Sequence, residues 1–299
     1  MSNELLDAPA RARTSFLSGP LPVLLASALW GTTGTAASFA PAGASPLSIG
    51  AATMGFGGLL LLALAGRSAF AVLRSGQLGL LVVGALAVAV YPLAFYSSMA
   101  LAGVAVGTVV TLGSAPVFAA ILERVVDGVR LDGRWAVSAA LAVLGLLLIT
   151  GGGWSGGTST ALGVLLGLLG GAAYVVYSWS ASRMMRRGFG SRAVMGAMFG
   201  GGALVLLPVL ALTGGPLLGS PSGLLVAGYL AVIPMGLAYV LFGAGLRRTS
   251  TSVATTLSLL EPVVAAVLGV LVVGERLAVG AWCGMALIGV GLVLVSTRR

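Results

Sequence analysis

The sequence predicts an all-α polytopic membrane protein with ten transmembrane helices, arranged as two inverted five-helix repeats around a central cavity. Three observations carry this expectation. Apolar residues make up 58% of the 299 positions and charged residues only 8%, against about 25% charged in a soluble domain. So few charges cannot cover a globular surface, and lipid must do part of the covering. Apolar stretches near the roughly 20 residues that a bilayer requires recur ten times along the chain. The cations, sixteen in number and all arginine, fall outside the cores of those stretches, and all but one of them on one side. A net charge of +9 invites a nucleic-acid reading, but arginines distributed in this way are a topology signal.

In chain order the spans are 20–40, 46–65, 77–100, 104–123, 133–151, 160–182, 193–213, 222–246, 250–272 and 277–297. Pro46 after Ser45 and Pro221 after Ser220 read as helix starts, since proline suits the first helical position and serine caps it. Residues 1–19 carry Glu4, Asp7, Arg11 and Arg13 and do not read as a signal peptide. Fifteen of the sixteen arginines lie before the first span, after the tenth, or in even-numbered connections; Arg276 alone lies opposite. The positive-inside rule then places both termini in the cytoplasm of a bacterial-type inner membrane. The opposite connections are short and almost uncharged.

A shift of 146 positions lays the fourth and fifth spans on the ninth and tenth, with fourteen identities in the window 116–148. Pro116 falls on Pro262, Gly128 on Gly274, Arg130-Leu131 on Arg276-Leu277, and Gly145 on Gly291. Two units of five follow: a cytoplasmic tail 1–19, a first repeat 20–151, a periplasmic linker 152–159 and a second repeat 160–297. Five is odd, so the second unit enters the membrane from the opposite side. Inverted repeats are a recurrent build of secondary transporters, with the substrate near the midplane between the halves.

Leu29-Trp30-Gly31, Leu260-Glu261-Pro262-Val263 and Gly274-Glu275-Arg276-Leu277, set in ten spans, resemble the EamA family of the drug/metabolite transporter superfamily. The first half carries Ala115-Pro116-Val117 and Gly128-Val129-Arg130-Leu131 at the matching places, without either acid. The resemblance implies export of amino acids and other small metabolites by alternating access, and it is greatest to the aromatic amino-acid exporters. It further implies that spans one to four and six to nine surround the cavity, with five and ten outside. The other readings are a carrier of drugs or of nucleoside or sugar metabolites, and a membrane-embedded enzyme.

Glu261 is the carboxylate at the centre of an uncharged run, beside a proline that removes a backbone donor. An acid at that depth costs about 2.5–3.5 kcal/mol on translocon scales, so it must face a cavity, be paired or be protonated. It either contacts a substrate ammonium or exchanges a proton, or it bonds backbone freed by Pro262. Trp30, Tyr91, Phe95, Tyr174, Tyr177 and Tyr239 are the aromatic candidates for the cavity wall. Trp135, Trp154 and Trp179 suit an interfacial belt. Ser114 and Ser258 are small polar candidates on spans four and nine. Pro92 and Pro234, and Pro116 and Pro262, interrupt corresponding spans and are the candidate hinges. Glu123, Asp127 and Asp132 are interleaved with Arg124, Arg130 and Arg134 and read as a solvated, salt-bridged cytoplasmic loop rather than a catalytic set. Without histidine, and with Cys283 alone, no Cys/His metal cluster can form. No phosphate-binding loop is present. The expected partners are a small-molecule substrate and the lipid bilayer, with no cofactor, no metal and no nucleic acid, and the protein acts as a monomer or weak dimer.

Overall fold

The computed structural model describes residues 17, 19–129, 132–149, 160–274 and 278–296. Among them there is no strand, and eight helices are long and apolar enough to cross a membrane. Six are α3 (Pro46–Ala65), α5 (Leu78–Ala102), α6 (Val104–Val126), α8 (Thr160–Arg186), α9 (Ser191–Thr213) and α15 (Val279–Ser296). The other two change character along their length. One runs from α11 (Pro221–Leu230) through a π-helical segment, Ala231–Leu237, into α12 (Ala238–Leu246). The other runs from α13 (Thr251–Leu257) into α14 (Leu260–Leu268) and a second π-helical segment, Gly269–Val273. Shorter helices are α1 (Pro20–Trp30), α2 (Thr33–Ala37), α4 (Arg67–Leu73), α7 (Gly133–Ile149) and α10 (Gly215–Leu218).

Both predicted helix starts hold. Ser45 and Ser220 are N-caps, accepting at 3.1 Å from Ser48 N and Gly223 N, each followed by its proline. The first span differs from the continuous 20–40 expected. It breaks at Gly31–Thr32 and ends at Ala37. Glycine and threonine are weak helix formers, and a Cβ at Gly31 would lie 2.6 Å from Val264 Cβ and 2.8 Å from the Glu261 carbonyl oxygen. The break is where α1 meets the backbone of α14.

Packing partners are α3 with α9, α7 with α15, α6 with α13, α5 with α8, and α1 with α12. Exchange each predicted span with the one five places on, and the first three pairs map onto themselves while the last two exchange. The α7–α15 contact is close because it is made of glycine: a Cβ at Gly284 would stand 2.9 Å from Ile149 N. Ser138 Oγ donates to Gly291 O at 2.5 Å across the same seam.

Of the three acids expected in a solvated, salt-bridged loop after span four, Asp127 is salt-bridged and Glu123 is not solvated. Glu123 is 1% exposed and accepts from Thr251 N at 2.5 Å and Ser252 N at 3.3 Å. A helix start leaves free N–H groups and favours an anion, so the acid caps α13 instead of meeting water. Asp127 pairs with Arg183 and, at 3.3 Å, with Arg186, both on α8. Two belt tryptophans are also structural. Trp179 Nε1 donates to Asp127 Oδ2 at 2.8 Å, and buried Trp135 donates to Ser252 O at 3.4 Å. Trp154, Arg130 and the Glu275-Arg276-Leu277 motif lie outside the described residues. Arg187 donates to Gln77. These contacts gather the ends of α6 and α8 and the starts of α5 and α13 at one end of the molecule, the arginine-bearing end.

Candidate functional site

Aromatic side chains from four helical segments converge on one cavity. Tyr91 and Phe95 stand one turn apart on α5 with rings stacked at 5.8 Å. Tyr174 and Tyr177 come from α8; both rings pack on Tyr91, at 5.7 and 5.9 Å. Tyr239 comes from α12 and Trp30 from the last turn of α1, 5.0 Å apart between centroids. All six, with Tyr96, line a cavity of about 70 Å³, well above the roughly 10–15 Å³ that a single water needs. Five of the six tyrosines in the chain are in this wall. Tyrosine in a membrane protein otherwise collects at the interfaces, so their concentration at mid-chain depth marks a built site.

Glu261 is the one formally charged residue in the lining. Its position follows from how the ninth span is broken. Pro262 has no N–H to give to Ser258 O, and Glu261 N takes that acceptor at 3.0 Å instead. The chain turns at Ser258–Leu259 and restarts as α14 with Glu261 in its first turn. The carboxylate itself makes no hydrogen bond or ion pair among the described residues, so it does not satisfy backbone freed by Pro262. Trp30 presents the matching feature: its indole N–H is buried without a partner. The site thus holds one acid and one N–H donor, both without a partner among the described residues, between aromatic rings.

Of the remaining candidates, Ser258 stands behind the wall. It donates to Ala254 O at 2.9 Å and shares a 2.6 Å hydrogen bond with the Tyr174 hydroxyl, fixing that ring. Tyr177 and Tyr239 hydroxyls bond each other at 2.8 Å. Ser114 does not reach the cavity lining; it donates to Thr111 O at 3.2 Å. Pro92 and Pro234 line the cavity, while Pro116 and Pro262 do not. Helices α5 and α6 run continuously through Pro92 and Pro116, whereas Pro234 lies in a π-helical segment and Pro262 just beyond a break.

Sequence reasoning missed Thr33, Gly50, Thr53, Met54, Tyr96 and Met235. Tyr96 carried the same signal as Tyr91, a tyrosine inside a predicted span. The others are small or apolar residues that composition cannot separate from packing. The lining draws on predicted spans one, two, three, six, eight and nine; four and seven contribute none of it.

Fold and site together define a multi-pass membrane protein with an aromatic-lined cavity and one acid, Glu261, in its lining. The profile of the EamA-like transporter family matches twice, over residues 17–151 and 161–297. The chain belongs to that family of membrane transporters. It is 35% identical over 274 residues to the uncharacterized transporter YwfM of Bacillus subtilis (strain 168), covering 92% of each chain. It is 27% identical over 290 residues to the uncharacterized inner membrane transporter YicL of Salmonella typhimurium (strain LT2), covering 93% of this chain and 95% of the relative. A solved crystal structure shares the fold with a TM-score of 0.76 at 22% identity, over 92% of this chain and 94% of that one.

Proposed function

We propose that the protein is a secondary transporter that exports amino acids, aromatic or apolar ones among them, and related small metabolites by alternating access. Support comes from the pairing of an unneutralised carboxylate, Glu261, with an unpartnered N–H, Trp30, inside a ring-lined cavity. The carboxylate suits a substrate ammonium, the indole N–H suits a carboxylate oxygen, and the rings suit an apolar side chain and can add cation–π attraction. A phosphorylated substrate would want a fixed cation, and the cavity lining contains none.

The architecture we propose is ten spans in two inverted repeats, 20–151 and 160–297, in an inner membrane with both termini cytoplasmic. Self-mapping packing of α3 on α9, α6 on α13 and α7 on α15 supports it, as does the double match of the family profile. The arginine-bearing end is then cytoplasmic, and the cavity extends from the Tyr177–Tyr239 bond toward the opposite end through Thr33, Gly50 and Tyr96. Transport of drugs or of nucleoside or sugar metabolites is the competing reading, favoured by the same rings but leaving Glu261 without an ammonium to meet.

Flux in ATP-free proteoliposomes tests this. L-phenylalanine should move saturably, and Glu261→Gln should lower its rate at least tenfold without lowering the thermal midpoint, because an isolated acid at that depth costs about 2.5–3.5 kcal/mol. Flux at two pH values separates the roles of the acid. A variant that keeps its rate but loses pH dependence marks a proton site. One that keeps both makes Glu261 structural and refutes the proposal.

A further inference from the structure

Tyr239 lines two cavities at once. Beyond it, at the arginine-bearing end between α3, α9 and α12, lies a second cavity of about 110 Å³ of water-centre volume. Tyr239 is the residue common to both linings. The walls include Leu61, Leu64, Met195 and Val240, with Ser191 and Arg192 supplying the polar groups. Arg192 is exposed, and its guanidinium makes no hydrogen bond or ion pair among the described residues. It differs in this from Arg183 and Arg186, which are held by Asp127.

We propose that this second cavity is a vestibule that receives the carboxylate of a small amphiphilic substrate on Arg192 before the molecule passes Tyr239 into the central cavity. The inference rests on the transport reading above. A guanidinium offers a planar fork that matches a carboxylate, and the aliphatic walls accept the apolar remainder. The two polar ends of a zwitterion are thereby read in sequence: its carboxylate at Arg192, its ammonium at Glu261. Tyr239 is the partition. Its ring lies 4.4 Å from Phe199 and its hydroxyl bonds Tyr177. The backbone leading to it is the π-helical segment Ala231–Leu237, which contains Pro234. Widened turns of this kind are frequent at functional sites, and Tyr239 lies just beyond one while Arg192 stands on regular α9.

Two measurements test the vestibule. In proteoliposomes, L-phenylalanine flux from the arginine-bearing side should show a KM raised about tenfold by Arg192→Gln, the loss of a charge-assisted bond. The KM from the opposite side should be unchanged. The shift should be equal in phosphatidylcholine alone and with added phosphatidylglycerol. A shift seen only with phosphatidylglycerol assigns Arg192 to lipid phosphate and overturns the proposal, as does no shift at all. The second measurement needs no transport. Ala244→Cys on a Cys283→Ser background, in detergent, should react faster with an anionic than with a cationic methanethiosulfonate. L-phenylalanine should protect it and phenylalaninamide should not. Arg192→Gln should remove the preference and the protection. Labelling that ignores reagent charge and both ligands overturns the vestibule even where flux is normal. Charge-selective, protected labelling without any flux upholds it and places the failure in the transport reading.

Discussion

Two glutamates lie on the corresponding fourth and ninth spans, one buried and one half-buried, and the chain treats them in opposite ways. Glu123, near the end of α6, has both carboxylate oxygens occupied by backbone N–H groups of α13. Glu261, in the first turn of α14, has neither oxygen occupied and faces a cavity. Burying an acid is expensive in both places. At Glu123 the cost is offset locally by a helix start, and the residue becomes a clamp between the α6 and α13 ends. At Glu261 no ion pair or hydrogen bond among the described residues offsets it, which leaves the offset to a ligand cation or a proton. Depth in the sequence therefore says less than satisfaction in the fold about which acid is open to a ligand.

The sharpest way to break this contrast is to disturb the backbone that holds Glu261 without touching its carboxylate. Gly31→Ala would drive a Cβ into Val264 and the Glu261 carbonyl. We expect L-phenylalanine flux to fall at least tenfold, since misplacing a binding group by a fraction of an ångström removes most of its contact. Val264→Gly, which removes the Cβ that the new methyl would meet at 2.6 Å, should restore part of the flux in the double variant. If Gly31→Ala transports normally, the close approach of α1 to α14 has no bearing on the site.

Glu123→Ala should produce the complementary result. It leaves two buried N–H groups without acceptors, a loss of about 1–3 kcal/mol, read as a lower thermal midpoint of the purified protein. The KM for flux should stay at the wild-type value, because Glu123 is outside the cavity lining. A variant with unchanged midpoint and altered KM would reverse the roles assigned to the two acids.

Why one acid was legible in the sequence and the other was not has a physical reason. Glu261 announces itself because hydropathy isolates it inside an uncharged run. Three of the rings that join it were legible by the same logic: Trp30, Tyr91 and Tyr174 fall at mid-span, where an interfacial tyrosine or tryptophan would be misplaced. Glu123 sits among arginines at a span end, where one-dimensional pattern cannot distinguish a solvated acid from a cap. Its partners are 128 and 129 residues away. Helix interruptions were half legible. Paired prolines identified the right spans, but α5 and α6 absorb Pro92 and Pro116 without breaking, while the matching spans of the second half do not. The Gly31–Thr32 break had no proline to signal it, because a tertiary contact imposes it.

Asp127 provides the finest discrimination, since it too joins the two halves but at a wetter site. Its partners Arg183 and Arg186 have side chains 32% and 46% exposed, against 13% for the acid. Exposed ion pairs contribute about 0–1 kcal/mol and weaken with salt, so Asp127→Asn should move the thermal midpoint far less than Glu123→Ala, and less still at high ionic strength. The same bonds tie the end of α6 to α8 across the proposed cytoplasmic face. If that face opens during the cycle, as alternating access requires, weakening the tie should speed L-phenylalanine flux from the arginine-bearing side by up to about fivefold. A midpoint loss as large as that of Glu123→Ala, with flux unchanged, would make Asp127 a structural clamp of the Glu123 kind and remove it from the conformational cycle.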